Sequence, residues 1–382
     1  WLKSLFLASW ANPDPTPAPQ VSAMPERWYC AEIWRVTPEV LSLPLEERIR
    51  YVEKHLTFSS EGPFPAGTFD TKAPISTSES AAVLAFFGIA MGGPVAVAFA
   101  FLASLCFGTW RSVGGITTAA AALALHPMPD PIRMTTMRFT ILLYKYFSYR
   151  LMWVDDGKAK VDATKGWIGA GAPHGVLPLA NLLSMPAINA FSPNRFLGGS
   201  ASVILFTPFL RYLTVLGGAV DVSSSTLERA TSKGHCVGIV PDGIAGIFQL
   251  RSGDGEERVA LKGRKGLARL SLRKGIPIVP CYSLGNTEVF SAWYDSFGVM
   301  EKISRLLRVS VFVFWGRFGL PLPYRTNVSM LVGEPIFPPA VCDKPPQEDV
   351  DRMHTALLDG ITAAFDQHKA ACGWGHRSIN FV

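Results

Sequence analysis

Between Ala81 and Trp110 the polar rhythm of the chain stops: no residue in this stretch carries a charge. Upstream, "TPEVLSLPLEERIRYVEKHL" sets Leu45, Ile49 and Val52 at helical spacing with charges opposite, which predicts a helix at a surface or membrane interface. "SEGPFPAGTFDTKAPISTSES" then reads as a loop. As one helix, the uncharged run would extend about 45 Å, more than the roughly 30 Å hydrocarbon core of a bilayer. Gly92-Gly93-Pro94 stand near its middle, where they can kink or break a helix. The run therefore predicts either one long kinked membrane helix or a helical hairpin that enters and leaves the same face.

Downstream the pattern changes. Short β-like runs alternate with helix-like ones: "WIGAGA" then "PLANLLSM", "ASVILF" then "PFLRYLTVL", "CVGIVP", "KGLARLSLRKG" then "IPIVPCYSLG", and "VSVFVFWG". Such alternation predicts an α/β fold with a mostly parallel sheet flanked by helices. Val350, Met353, Leu357, Ile361 and Phe365 mark a terminal amphipathic helix that ends near Gly373. Three regions follow: an N-terminal arm with an amphipathic helix over 1–80, a membrane-embedded segment over 81–125, and a catalytic-type domain over 126–382. Residues 1–30 of this arm are rich in proline ("ANPDPTPAPQ") and read as extended chain.

Composition sharpens this picture in two ways. The chain has 382 residues, 48% of them hydrophobic and 17% charged, at the apolar edge of the soluble range. A net charge of +6 suits an anionic membrane face or a phosphate-bearing ligand. No nucleic-acid motif accompanies it, and no nucleic-acid partner is expected. The six cysteines are scattered without metal or redox spacing, as expected of free thiols in a reducing compartment. A first residue Trp1 reads as a processed or incomplete chain, which leaves room for a targeting segment.

Candidate chemistry gathers at strand ends. In "GAPHGVLPLA", His174 lies between a strand-like run and a helix-like one. Ligand sites of α/β sheets lie beyond strand C-termini, and a neutral imidazole there can take a proton from an alcohol. The alternative is a histidine in a turn. In "CVGIVPDGIAGIF", Asp242 follows another strand and could orient His174 or a substrate hydroxyl; the alternative is an ordinary Asp-Gly turn. Asn286 and Glu288 follow "IPIVPC" and would border the same crevice if the sheet is parallel. Lys262, Arg264, Lys265, Arg269, Arg273 and Lys274 surround one short helix. They suit a phosphate-rich ligand such as coenzyme A, an anionic membrane, or plain solvation. No Walker A loop, dinucleotide fingerprint, metal-spaced histidine pair or Gly-x-Ser-x-Gly elbow is present.

In this order the segments resemble the diacylglycerol acyltransferase type 2 family, with its monoacylglycerol and wax-ester acyltransferases. "APHGVLPLA" resembles its histidine signature, and "FTPFLRYLTVLGGAVDVSSSTL" its proline–arginine block. "LKGRKGLARLSLRKGIPIVPCYSLGNTEVF", "WGRFGLPLPYRTNVSMLVGEPI" and "HTALLDGITAAFDQHKAACG" are similar to the blocks that follow. The resemblance implies a glycerolipid-acyltransferase-like fold. It implies a membrane enzyme of the endoplasmic reticulum or lipid droplet, or of another organelle. That enzyme would move a fatty acyl group from acyl-CoA, as substrate, to a glycerolipid hydroxyl, most directly diacylglycerol to triacylglycerol, with no metal or redox cofactor. His174, Asp242 and Glu288 would be catalytic. Pro173, Gly175, Gly243, Asn286, Arg264, Lys265 and Arg269 would bind substrate, the backbone N–H groups of Gly175 or Gly243 serving the oxyanion. Partners would be acyl-CoA, glycerolipid and membrane lipids, with a second copy or a membrane complex as further options. Two positions depart from the family pattern. Ala172 stands where histidine or glutamate is usual, and Gly246 where glutamate is expected. They leave open a degenerate lipid-binding or structural subunit of a membrane complex. Pro241-Asp242-Gly243 resembles the Pro-Glu-Gly block of the wider glycerolipid acyltransferases, which leaves open a lysophospholipid acyltransferase in which Asp242 substitutes for the glutamate.

Overall fold

The computed structural model describes residues 27–127, 138–154, 166–192, 195–216, 218, 220–249, 255–307 and 310–382. The proline-rich "ANPDPTPAPQ" lies outside them. In chain order the strands are β1 (Arg27–Ala31), β2 (Thr57–Glu61), β3 (Arg150–Val154), β4 (Ile168–Ala172), β5 (Phe196–Ser200), β6 (Val220–Asp221), β7 (Cys236–Ile239), β8 (Glu256–Val259), β9 (Ile278–Leu284), β10 (Ser291–Trp293), β11 (Val313–Trp315), β12 (Ser329–Val332) and β13 (Ser378–Phe381). Nine of them make one sheet in the order β2-β1-β3-β12-β9-β4-β7-β5-β6.

The run from β9 through β4, β7 and β5 to β6 is parallel. At β12 the direction reverses: it is antiparallel to β9 and parallel to β3, and β1 is antiparallel to both β3 and β2. The sheet is therefore mixed, a parallel half joined through β12 to a second half. Residues 27–61 supply two of its strands, so this part of the expected N-terminal arm belongs to the sheet-bearing body.

Helices cover both faces. The labelled ones are α1 (Thr77–Phe107), α2 (Trp110–Leu125), α3 (Arg138–Tyr146), α4 (Leu179–Phe191), α5 (Ser202–Phe206), α6 (Gly243–Ile247), α7 (Gly266–Lys274), α8 (Val299–Leu307) and α9 (Gln347–His368). Strand β9 shows why two cores form. Its Ile278, Tyr282 and Leu284 point into a core with α7 and α9, while Val279 and Cys281 point into one with α1, α3 and α4. This is the period-2 alternation of a sheet buried on both faces. All five expected apolar positions of the terminal helix, Val350 to Phe365, are buried in the first core.

Three expectations change. Pro94 lies inside α1, which runs through it. The turn comes later, at Gly108-Thr109, and α2 packs back against α1. Both starts are locked by capping boxes, Ser76 with Glu79 and Thr109 with Ser112. Gly108 is required at the corner, because a Cβ there would stand 2.5 Å from Ser104 O and Ser112 Oγ. Next, "ASVILF" is the helix α5 rather than a strand; the strand is the preceding "FLGGS". A Cβ at Gly199 would meet Ile239 Cγ2 at 2.7 Å and Val222 Cγ1 at 2.8 Å, so close packing has selected a segment of low strand propensity. Finally, "VSVFVFWG" supplies β11, which pairs with β10 in a separate two-stranded sheet.

The two halves of α1 differ. Val83, Phe87 and Ala90 are buried against α3 and its neighbours, whereas Phe99, Leu102, Leu105 and Phe107 are exposed. No residue of α2 is buried. The body thus holds the start of α1 and, through Arg211 Nη1 donating to Leu123 O at 2.8 Å, the end of α2, while the apolar stretch around the Gly108 corner projects beyond it.

Candidate active site

The C-terminal ends of three adjacent parallel strands, β9, β4 and β7, converge on one loop. Past Ala172, β4 turns into Pro173-His174-Gly175 and then α4. Past Ile239, β7 turns into Pro241-Asp242-Gly243 and α6. Past Leu284, β9 turns at Gly285 into a 3-10 turn, Asn286–Glu288.

His174 is half-buried. Its Nδ1 lies 2.8 Å from Gly175 O. A carbonyl oxygen only accepts, so Nδ1 carries the proton and Nε2 keeps its lone pair. Burial holds the imidazole pKa below its ordinary value, more than the Gly175 bond raises it. The ring is therefore neutral near pH 7, with Nε2 as the basic atom.

Asp242 is fully buried, and its Oδ2 accepts the backbone N–H of His174 at 3.0 Å. The carboxylate reaches the histidine residue through its main chain, not through the ring. Burial pushes the carboxyl up to about 7; the N–H of His174 and the guanidinium of Arg264 act in the opposite direction. Oδ1 is buried with no hydrogen-bond partner among the described residues.

Two buried amides hold the histidine loop. Asn286 donates from Nδ2 to Pro173 O at 3.0 Å and accepts from Ala180 N–H through Oδ1 at 2.8 Å. It spans the loop from its entry to the first turn of α4, so its amide is engaged with backbone rather than offered to substrate. Pro173 likewise contributes an occupied carbonyl. Asn181, which the sequence reading did not single out, donates to Gly171 O at 3.3 Å and accepts from Ser283 Oγ at 2.8 Å. A short asparagine among apolar helix positions was the available signal. Gly175 has φ +64°, and a Cβ there would sit 2.6 Å from Asn286 O, so the loop accepts only glycine.

Several expected roles move. Glu288 is drawn to Arg377 in an ion pair rather than to the imidazole. The N–H of Gly243 donates to Val240 O at 3.3 Å inside its own turn, which leaves Gly175 as the oxyanion candidate. Lys265 pairs with Asp351 at 2.7 Å, and Arg269 donates to Gln347 Oε1 at 3.1 Å, both at the start of α9. Arg273 and Lys274 face Glu228. Arg264 is different: exposed, it extends Nη1 to 3.5 Å from Pro241 O, at the Asp242 turn. Of the three cations expected to hold phosphate, Arg264 is the one the fold carries to the histidine loop's neighbour.

Beside these strand ends lies an ion-pair cluster absent from the sequence reading. Arg377 donates to the buried Glu257 at 2.7 Å and lies 3.7 Å over the Trp374 ring. Glu257 also accepts from Tyr282 Oη and from Thr287 Oγ1, each at 3.1 Å. Even so, burial raises its pKa more than Arg377 lowers it.

Residues 133–378 match the sequence profile of the diacylglycerol acyltransferase family. The chain is 30% identical over 230 residues to human diacylglycerol O-acyltransferase 2, covering 55% of this chain and 58% of that one. It is 30% identical over 249 residues to diacylglycerol O-acyltransferase 2-like protein 6 of Bos taurus, covering 60% and 72%. To human acyl-CoA wax alcohol acyltransferase 2 it is 32% identical over 178 residues, covering 44% and 53%. The match thus spans little more than half the length of the first of these relatives. With the profile covering well over half of its residues, the chain belongs to the diacylglycerol acyltransferase family.

Proposed function

We propose that the chain is an acyl-CoA-dependent O-acyltransferase that esterifies a glycerolipid hydroxyl, converting diacylglycerol to triacylglycerol. The observation that carries this reading is His174: a neutral imidazole at a strand end, with Nδ1–H committed to Gly175 O and Nε2 left as base. In the proposed reaction Nε2 takes the proton of the acceptor hydroxyl as its oxygen attacks the thioester carbonyl. The tetrahedral oxyanion is met by the N–H of Gly175. Collapse forms the ester and breaks the carbon–sulfur bond; the imidazolium gives its proton to the departing sulfur, so coenzyme A leaves as the thiol and the ring is neutral again. Arg264, together with the exposed Lys262, offers charge to the coenzyme A phosphates.

The glycerolipid substrate is membrane-soluble, and α1 with α2 supports a matching location. From Val95, where exposure begins, to Phe107, the projecting part of α1 measures about 20 Å, and α2 in full about 24 Å, at 1.5 Å per residue. Both fall short of the roughly 30 Å core, as suits a hairpin that dips in and returns. We place it in the endoplasmic reticulum membrane or at the lipid-droplet surface. Labelling of single cysteines introduced before α1 and after α2 is expected to mark both from one side. Labelling from opposite sides would rule out the hairpin.

The activity itself is tested with purified protein in detergent and labelled acyl-CoA. Diacylglycerol, monoacylglycerol, a long-chain alcohol and a lysophosphatidate are offered as acceptors. Transfer to diacylglycerol is expected to be fastest. Faster transfer to another acceptor would move the substrate assignment, and no transfer to any would end the enzymatic reading.

A further inference from the structure

Gly246 lies one helical turn beyond Asp242, on α6. Its missing side chain has a specific neighbour. A Cβ built there would overlap the Asp242 carboxyl group and stand 3.0 Å from the Asp242 Cβ; the three nearest atoms all belong to Asp242. Among the described residues, no atom outside its chain neighbours and the helix's own backbone comes closer than these. Asp242 in turn has little room to withdraw. Its side chain is fully buried, and Oδ2 is fixed at 3.0 Å from the N–H of His174. Oδ1 faces no protein partner among the described residues, so the carboxyl group is not held there by a second bond of its own.

We infer that Asp242 and Gly246 are a matched pair: the glycine keeps open the volume that the Asp242 carboxyl fills, and that carboxyl is a positioning residue for the His174 loop. A carboxyl group supplied from position 242 excludes any side chain at 246. Conversely, a side chain at 246 expels Asp242 from the His174 N–H and frees the loop that carries the base. Displacement of a reacting group by about 1 Å can cost about 10²-fold in rate. The activity readout rests on the acyl-transfer reading; the packing readout does not.

The test is a four-member cycle: the unmodified chain, Gly246→Ala, Asp242→Gly, and both together. Each is measured for thermal midpoint and for transfer from acyl-CoA to diacylglycerol. Gly246→Ala alone is expected to lower the midpoint by about 5 °C or more and kcat by at least about tenfold, with KM for acyl-CoA little changed. Added to Asp242→Gly, the same alanine is expected to change neither quantity appreciably, because the obstacle is gone. Asp242→Asn, which keeps an acceptor oxygen for the His174 N–H, is expected to recover much of the kcat lost in Asp242→Gly. An equal penalty for the alanine in both backgrounds would overturn the pair, as would normal midpoint and kcat in Gly246→Ala. Normal kcat in Asp242→Gly would overturn the positioning role. If Gly246→Ala fails to fold, a folded double variant supports the pair and an unfolded one refutes it. If the unmodified chain transfers no acyl group, the proposed function fails, while the thermal cycle still decides the pair.

Discussion

Replacing His174 by alanine is expected to lower acyl transfer by about 10²–10⁴-fold, the contribution typical of a general base. The fold should hardly register the change. The imidazole makes one local bond, Nδ1–H to Gly175 O, and the loss of such a bond typically costs about 1 kcal/mol. The loop also keeps its two braces from Asn286 and the Asp242 bond to its main chain. In the unmodified enzyme, kcat/KM should rise with pH as the imidazole loses its proton. Burial lowers that pKa, so the midpoint of the rise should fall below the ordinary histidine value of about 6.5, with a plateau through neutral pH. A normally folded His174→Ala with undiminished turnover would remove the histidine from the mechanism. A rise centred well above 6.5 would show that the ring is not desolvated in the working enzyme.

The largest expected effect on stability comes from Arg377→Ala. It leaves Glu257, 5% exposed, with two hydroxyl donors and no cation, and removes the guanidinium from the Trp374 face. Breaking a buried pair from one side typically costs about 3–5 kcal/mol. Arg377 is itself about one-fifth exposed, so roughly 2–4 kcal/mol is the better expectation after allowing for solvent screening. The sign with pH follows from Glu257. Its folded pKa already lies above the unfolded value, and loss of Arg377 raises it further. The extra cost is therefore full where the carboxylate must be charged and shrinks as pH falls toward the carboxyl range, where a protonated Glu257 needs no cation. Denaturation of both proteins at pH 5 and pH 8 checks this. A loss that is equal at the two values, or below about 1 kcal/mol, would show that solvent already compensates Glu257.

Legibility followed the range of the interactions involved. The strands around the site were readable because β4, β7 and β9 are short apolar runs that each end at a glycine- or proline-bearing turn. Both the pattern and the stop are local. His174, Asp242 and Asn286 could therefore be assigned to strand ends, and parallel order then brings those ends together. The second half of the sheet was not readable. β1, β3 and β12 come from residues near 30, 150 and 330, and nothing local states that they pair. "ASVILF" misled because its β-branched residues promise a strand, while the packing around Gly199 chose "FLGGS". The hairpin corner moved from Pro94 to Gly108 because α1 runs on through its proline, whereas Gly108 is enforced by contact with Ser104 and Ser112. Glu288 was misjudged for want of its partner, since Arg377 lies 89 residues further along the chain.

The position of β12 also governs when this protein can fold. β3, with β1 and β2 behind it, meets the parallel half only through β12. During synthesis the first three strands emerge long before residues 329–332, and until then the flank of β3 that β12 will cover is an open edge. At about 5–20 residues per second, the interval from residue 154 to residue 332 lasts roughly 10–35 s. For that time the nascent chain carries an unpaired strand flank beside an apolar helical pair, both of them aggregation hazards in water. Early delivery of α1 and α2 into a bilayer would shelter one hazard while the ribosome completes the strand that closes the other.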